Sequence, residues 1–226
     1  MERYALVTGT SSGLGLEIAN YLLDENFVVF GVSRNGTNIT HGHFVDIVTD
    51  ICSESSVEEM FEVVRGMTDG IDILVNNAGI CEMAPVEEIS SREFSDHLNY
   101  NVLGSFHVLK HFRSFVIENI SHVITVSSAV AKTGYQELSA YVASKSSLEG
   151  LINVCRQEWN KHGVRFSTLT PGFMNTEDVP IECDKVMSTD DFIHVFEMII
   201  KSPNHVHFPE IVFSHKDEGY LQRSGQ

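Results

Sequence analysis

The chain has 226 residues, 42% of them hydrophobic, 20% charged and 9% aromatic, a composition that suits one large soluble globule and excludes a disordered, collagen-like or membrane-spanning chain. Fifteen basic side chains face 31 acidic ones, and the net charge of −16 sets up a field that repels nucleic-acid backbones and anionic lipid surfaces. Four cysteines lie far apart with no Cys-x-x-Cys pair, and Met1-Glu2-Arg3-Tyr4 lacks the apolar run of a signal peptide, so reduced thiols in the cytoplasm are expected. On that reading the patterns Asn38-Ile39-Thr40 and Asn119-Ile120-Ser121 are chance glycosylation matches.

Short runs rich in Val and Ile alternate with longer stretches of helical period, the pattern of parallel strands joined by crossover helices. A strand over residues 4–8 leads to a helix over 14–25, a strand over 28–32 and, after only ten residues, a strand over 44–47. That connection, 34–43, is too short for the usual helical crossover and is read as a tight loop. A helix over 56–67 with a Ser55-x-x-Glu58 capping box follows, then a strand over 71–76 and a long helix over 92–116 opened by Ser90-x-x-Glu93. Strands over 122–127, 164–169 and 210–213 alternate with helices over 140–160 and 189–201. The expected fold is a single doubly wound α/β domain over residues 1–226, with a mostly parallel seven-stranded sheet flanked by helices.

The first strand runs into Thr8-Gly9-Thr10-Ser11-Ser12-Gly13-Leu14-Gly15 and then a helix. Three glycines there let backbone approach a ligand, with N–H groups aimed at a pyrophosphate. The same stretch contains Gly9-x-Ser11-x-Gly13, the nucleophile elbow of serine hydrolases, but only eight residues precede it, and that motif normally follows earlier strands that complete an oxyanion hole. Further on, Tyr141-Val142-Ala143-Ser144-Lys145 puts a phenol and an ammonium one helical turn apart. A cation beside a phenol stabilises the phenolate, so Lys145 is expected to lower the Tyr141 pKa from its usual value of about 10 and to let the pair shuttle a proton.

Taken together, the motifs Thr8-Gly9-x-x-x-Gly13-x-Gly15, Asp46, Asn76-Asn77-Ala78-Gly79, Asn101, Ser128, Tyr141-x-x-x-Lys145 and Pro171-Gly172-x-x-x-Thr176 resemble the compact single-domain branch of the short-chain dehydrogenase/reductase family. The resemblance covers most of the chain and implies a Rossmann-type fold, with a cofactor half over about residues 1–120 and a catalytic and substrate half over about 121–226. It implies interconversion of a carbonyl and a secondary alcohol by hydride transfer. Tyr141 would be the general acid or base, Lys145 would also bind the nicotinamide ribose, Ser128 would polarise the carbonyl and Asn101 would hold a relay water. Ser128 stands thirteen residues before Tyr141, the family's spacing, which selects it over Ser127. The implied cofactor contacts are Gly9, Ser11, Ser12, Gly13, Leu14 and Gly15 at the turn, Asp46 and Ile47 at the adenine, and Asn77, Ala78 and Gly79 along the dinucleotide. Pro171, Gly172 and Thr176 would meet the nicotinamide. A homodimer or homotetramer through the helices 92–116 and 140–160 is also implied.

The second strand ends in Ser33-Arg34, with no acidic residue to take a ribose 2′-hydroxyl, so a hydroxyl and a guanidinium there favour NADP(H) over NAD(H). Glu82, Met83, Tyr135, Gln136, Phe173 and Met174 are candidate substrate walls, and Glu177, Asp178, Glu182 and Asp184 would make a small acidic flap suited to a modest polar substrate. The pairs His107/His111, His41/His43 and His205/His207 lack a zincin Glu or a third ligand, and no metal is expected. Two other readings are a serine hydrolase acting through Ser11 and a non-catalytic NADP(H)-binding sensor or scaffold. The filled Asn101, Ser128, Tyr141 and Lys145 positions argue against idleness.

Overall fold

A computed structural model describes residues 2–176 and 186–217. The strands β1 (Arg3–Thr8), β2 (Phe27–Ser33), β3 (Phe44–Val48), β4 (Ile73–Asn76), β5 (His122–Val126), β6 (Arg165–Pro171) and β7 (Glu210–Phe213) form one sheet in the order β3-β2-β1-β4-β5-β6-β7. Every pairing is parallel, so the expected mostly parallel sheet is wholly so. The order reverses between β1 and β4, and the crevice beyond their carboxyl ends is where such sheets bind ligands.

Both faces of the sheet are covered. Along β1, Ala5 and Val7 turn to one layer and Leu6 to the other, as a two-residue period requires. The first layer is closed by α1 (Gly13–Asp24) and α7 (Thr189–Ile200), through Ile18, Leu22, Phe192 and Phe196. The second is closed by α2 (Glu54–Arg65), α4 (Gly104–Phe112) and α6 (Ser139–Trp159), through Val57, Phe61, Phe112, Leu148 and Trp159. Burial on both faces explains why the strands read as continuous apolar runs.

Several local expectations change. The helix expected over 92–116 is α3 (Ser91–Leu98), a π-helical turn (Asn99–Leu103), α4 and a 3₁₀ turn (Arg113–Phe115). The π turn carries the fully buried Asn101, and Gly104 follows it where a Cβ would press on Ile51 at 2.7 Å. Helical period alone does not reveal such a bulge, since one extra residue leaves the apolar pattern nearly intact. The Ser90–Glu93 capping box forms, with Ser90 N donating to Glu93 Oε2 at 2.7 Å and Glu93 N to Ser90 Oγ at 3.1 Å. The Ser55–Glu58 box does not, because α2 starts earlier and Ser53 is its cap. The 34–43 connection has no helix, and Gly36 within it adopts φ +71°. A short α5 (Val130–Thr133) follows β5 and was not expected. Residues Glu177, Asp178, Glu182 and Asp184 lie outside the described residues.

Candidate active site

The carboxyl ends of the strands open into a cleft of about 670 Å³. Its floor is the β1–α1 turn. Gly9 and Gly13 hold φ of +80° and +53°, and a Cβ at Gly15 would overlap the Gly9 carbonyl, so the turn closes only with glycine. Gly9, Ser11, Ser12, Leu14 and Gly15 line the cleft, while Gly13 shapes the turn behind them. The Thr8 hydroxyl accepts from Asn77 N and Ala78 N, each at 3.0 Å, and Asn77 Nδ2 donates to the Thr8 carbonyl at 3.0 Å. These bonds lock the β4 exit to the glycine turn and place Asn77, Ala78 and Gly79 along the cleft wall.

At the end of β2, Ser33 is buried with no partner for its hydroxyl, and Arg34 is exposed with its guanidinium 4.7 Å above the Tyr100 ring. Both line the cleft. An orphaned buried hydroxyl and a guanidinium beside it fit a phosphate-bearing ligand. Asp46 and Ile47 do not reach this cleft. The Asp46 carboxylate instead accepts from Thr37 N at 3.1 Å and lies against Gly36, and Ile47 packs into the core. Thr49 and Ile51, just past β3, hold the wall that was expected of them. Two aspartates four apart, Asp46 and Asp50, left the register at this strand end ambiguous in sequence.

The other wall is built from β5, α6 and the β6 exit. Ser128, Tyr141 and Lys145 line it together, as do Pro171, Gly172 and Thr176. The neighbouring Ser127 turns away, donating from Oγ to Glu149 Oε1 at 2.6 Å. Lys145 Nζ lies 5.7 Å from the Tyr141 ring centre and donates to the Val126 carbonyl at 2.9 Å. Burial pushes the Tyr141 phenol well above its usual range; the charge of Cys81 adds to this and a hydrogen bond with Ser128 opposes it. Burial also lowers Lys145 to about 8, with Cys81 and Glu149 acting in the opposite sense. The expected acidic phenol is therefore not found in this site. Desolvation of both groups outweighs their attraction across that separation, and Tyr141 holds its proton at neutral pH.

Asn101 does not line the cleft. From the π turn its Nδ2 donates to the Ile80 carbonyl at 3.0 Å and to Ser144 Oγ at 2.8 Å, while Oδ1 accepts from Ile80 N at 2.8 Å. Its side chain thus ties the loop after β4 to α6. His97, fully buried, accepts at Nε2 from Glu82 N at 3.1 Å, and its Nδ1 contacts the Glu93 carbonyl at 2.8 Å. His107 anchors Ile51 through its carbonyl at 2.9 Å. Neither role has a sequence signature. His111 does not converge with His107 but faces Glu54 and Glu58 at 3.4 and 3.8 Å.

Among the expected substrate walls, Glu82, Met83, Phe173 and Met174 line the cleft. Tyr135 and Gln136 do not, although the Tyr135 ring meets Phe173 edge-on at 4.9 Å. Cys81 and Leu138 join the wall unannounced by any motif. No histidine is among the described residues lining the cleft, so Ser11 has no imidazole base there.

The sequence profile of the short chain dehydrogenase family matches residues 3–181. An NADPH-dependent pterin aldehyde reductase of Arabidopsis thaliana is 32% identical over 186 residues, 77% of this chain and 76% of that protein. A D-threitol dehydrogenase of Mycolicibacterium smegmatis is 29% identical over 185 residues, 77% of this chain and 71% of that protein. In fold the chain is similar to a closed form of serine dehydrogenase complexed with NADP+, with a TM-score of 0.85 at 21% identity, over 93% of this chain and 94% of that one. An alcohol dehydrogenase from the archaeon Thermococcus sibiricus gives a TM-score of 0.84 at 22% identity, over 96% and 98%. With the profile spanning most of its length and relatives that are dehydrogenases and reductases, the chain belongs to the short chain dehydrogenase family and is an oxidoreductase.

Proposed function

We propose that the protein is an NADP(H)-dependent reductase that converts a carbonyl to a secondary alcohol, built as one domain with its cofactor half before β5 and its catalytic half after it. The observation that carries the reading is the convergence of Ser128, Tyr141 and Lys145 on the same cleft as the glycine turn and the Ser33-Arg34 pair. The α1 N-terminus, with Ser11 and Ser12, would hold a pyrophosphate, and Ser33 and Arg34 a ribose 2′-phosphate. Lys145 would bond the nicotinamide ribose, Thr49 and Ile51 would flank the adenine, and Pro171, Gly172 and Thr176 would border the nicotinamide. The dinucleotide, when bound, supplies the hydride.

The chain supplies the proton. Ser128 donates a hydrogen bond to the substrate oxygen, so negative charge grows against a fixed donor. Tyr141, protonated at neutral pH, gives its proton to that oxygen as general acid, which favours the reductive direction. The Lys145 ammonium then stabilises the phenolate left behind. Asn101 supports the relay by fixing the Ile80 loop to α6.

Met83, Leu138, Phe173 and Met174 favour a substrate that presents an apolar face beside its carbonyl, with Glu82 at the rim. The pterin aldehyde named for one relative is of that kind. Association of copies is proposed through the groove between Leu98, Val102 and Phe106 on one side and Ser147 and Leu151 on the other, where Phe106 is 42% exposed. A cytoplasmic location agrees with the unpaired Cys52, Cys81 and Cys155. No helix among the described residues is long and apolar enough to cross a membrane.

The test is a panel of aldehydes, ketones and alcohols assayed with each dinucleotide at the nicotinamide absorbance, together with fluorescence titration of NADPH and NADH. NADPH consumption with at least one carbonyl is expected. Failure to bind either dinucleotide would end the proposal.

A further inference from the structure

Behind the cleft lies a carboxylate that the chemistry above leaves unused. Glu149 sits one turn beyond Lys145 on α6, its side chain only 12% exposed. Its Oε1 accepts from Ser127 Oγ and its Oε2 from Lys132 Nζ, both at 2.6 Å. Ser127 immediately precedes Ser128, and Lys132 lies on α5, which follows it. Lys132 also pairs with Glu210 at 2.8 Å, and Glu210 accepts from Thr170 Oγ1 at 3.2 Å, which carries the network across β7 and β6. The segment bearing Ser128 is thus bonded on both flanks to a single carboxylate, and that carboxylate stands on the helix that bears Tyr141.

Short, charge-assisted bonds of this kind hold geometry more firmly than neutral ones. A hydroxyl at a strand end otherwise has the freedom of the loop it stands in. We infer that Glu149 is a positioning residue for the carbonyl chemistry, fixing the distance between Ser128 and Tyr141 by tying Ser127 and Lys132 to α6. The inference rests on the function proposed above. A second consequence concerns Lys145, which is faced by Tyr141 from its own helix, Cys81 from the loop after β4, the Val126 carbonyl from β5 and Glu149 from the next turn. The Glu149 charge favours the protonated ammonium there.

An ion pair that merely fastens α5 to α6 would affect stability alone, and the Ser146 Oγ bond to the Ala131 carbonyl at 3.0 Å already fastens them. The discriminating variants are Glu149→Gln, which keeps size and an acceptor for Ser127 but removes charge, and Ser127→Ala, which removes one flank bond and no charge. With the carbonyl selected by the panel, Glu149→Gln is expected to lower kcat by roughly tenfold to a hundredfold, as displaced catalytic groups do, with NADPH affinity unchanged. The alkaline limb of its pH profile should move to lower pH. Ser127→Ala should lower kcat without moving that limb. Should Glu149→Gln fail to fold, Ser127→Ala and Lys132→Met carry the test, and wild-type kcat in both would overturn the inference. Tyr141→Phe separates the levels. If Tyr141→Phe is inactive while Glu149→Gln keeps the wild-type kcat and pH profile, the positioning role alone is refuted; if Tyr141→Phe stays active, the underlying function is refuted.

Discussion

Tyr141 and Lys145 illustrate how one environment sets two protonation states in opposite senses. Burial penalises the phenolate and the ammonium alike, so the phenol keeps its proton while the lysine, lowered to about 8, begins to lose its own just above neutrality. Below about 8 the ammonium is present to receive the developing phenolate, and above it that support disappears. Reduction rates are therefore expected to hold through neutral pH and fall as pH rises past about 8; a rate unaffected up to pH about 10 would remove Lys145 from the chemistry. At the other end of the cleft, Ser33→Asp with Arg34→Asn replaces phosphate-binding groups by one that suits a 2′-hydroxyl. Losing charge-assisted bonds of about 1.5–3 kcal/mol should weaken NADPH binding by roughly tenfold to a hundredfold while sparing NADH, as read by titration. The choice of Ser128 over Ser127 was legible from its spacing to Tyr141. The raised phenol was not, because desolvation depends on walls such as Cys81 and Leu138 that come from distant segments.

Elements matter through their ends. The β1–α1 turn has no room for a side chain at Gly15, since a Cβ would meet the Gly9 backbone, which cannot swing aside as a side chain can. Gly15→Ala is expected to cost about 1–3 kcal/mol of stability in urea unfolding, with dinucleotide affinity lost as well; an alanine variant as stable as the parent would show that the turn opens. Strand and helix order was readable because both sheet faces are buried and the periods switch cleanly between about two and 3.6 residues. The break between α3 and α4 was hidden because the π turn is held by Asn101, whose partners Ile80 and Ser144 are remote in sequence. The same holds for His97, which braces the cleft-lining Glu82 from inside α3. At β3 the misplacement of Asp46 reflects a choice between two similar aspartates that only the strand's true end resolves.

For the whole molecule, the wholly parallel sheet sends five strand ends toward one cleft and leaves the outer faces of α4 and α6 free for association. Phe106 and Leu103, about two-fifths exposed at 42% and 41%, border the groove between them. Phe106→Glu would place a charge against its counterpart in a second copy and is expected to shift sedimentation from an oligomer to a monomer, with the fold intact by circular dichroism. A wild-type protein that already sediments as a monomer would refute association through this face.

The most direct measurement is turnover of Tyr141→Phe, a change that removes one oxygen and leaves the ring in place. NADPH oxidation with the selected carbonyl should fall by about a hundredfold to ten-thousandfold, the share a positioned acid supplies, while NADPH still binds with parental affinity. Undiminished turnover in that variant would contradict the assignment of the phenol as proton donor and, with it, the account of how this cleft works.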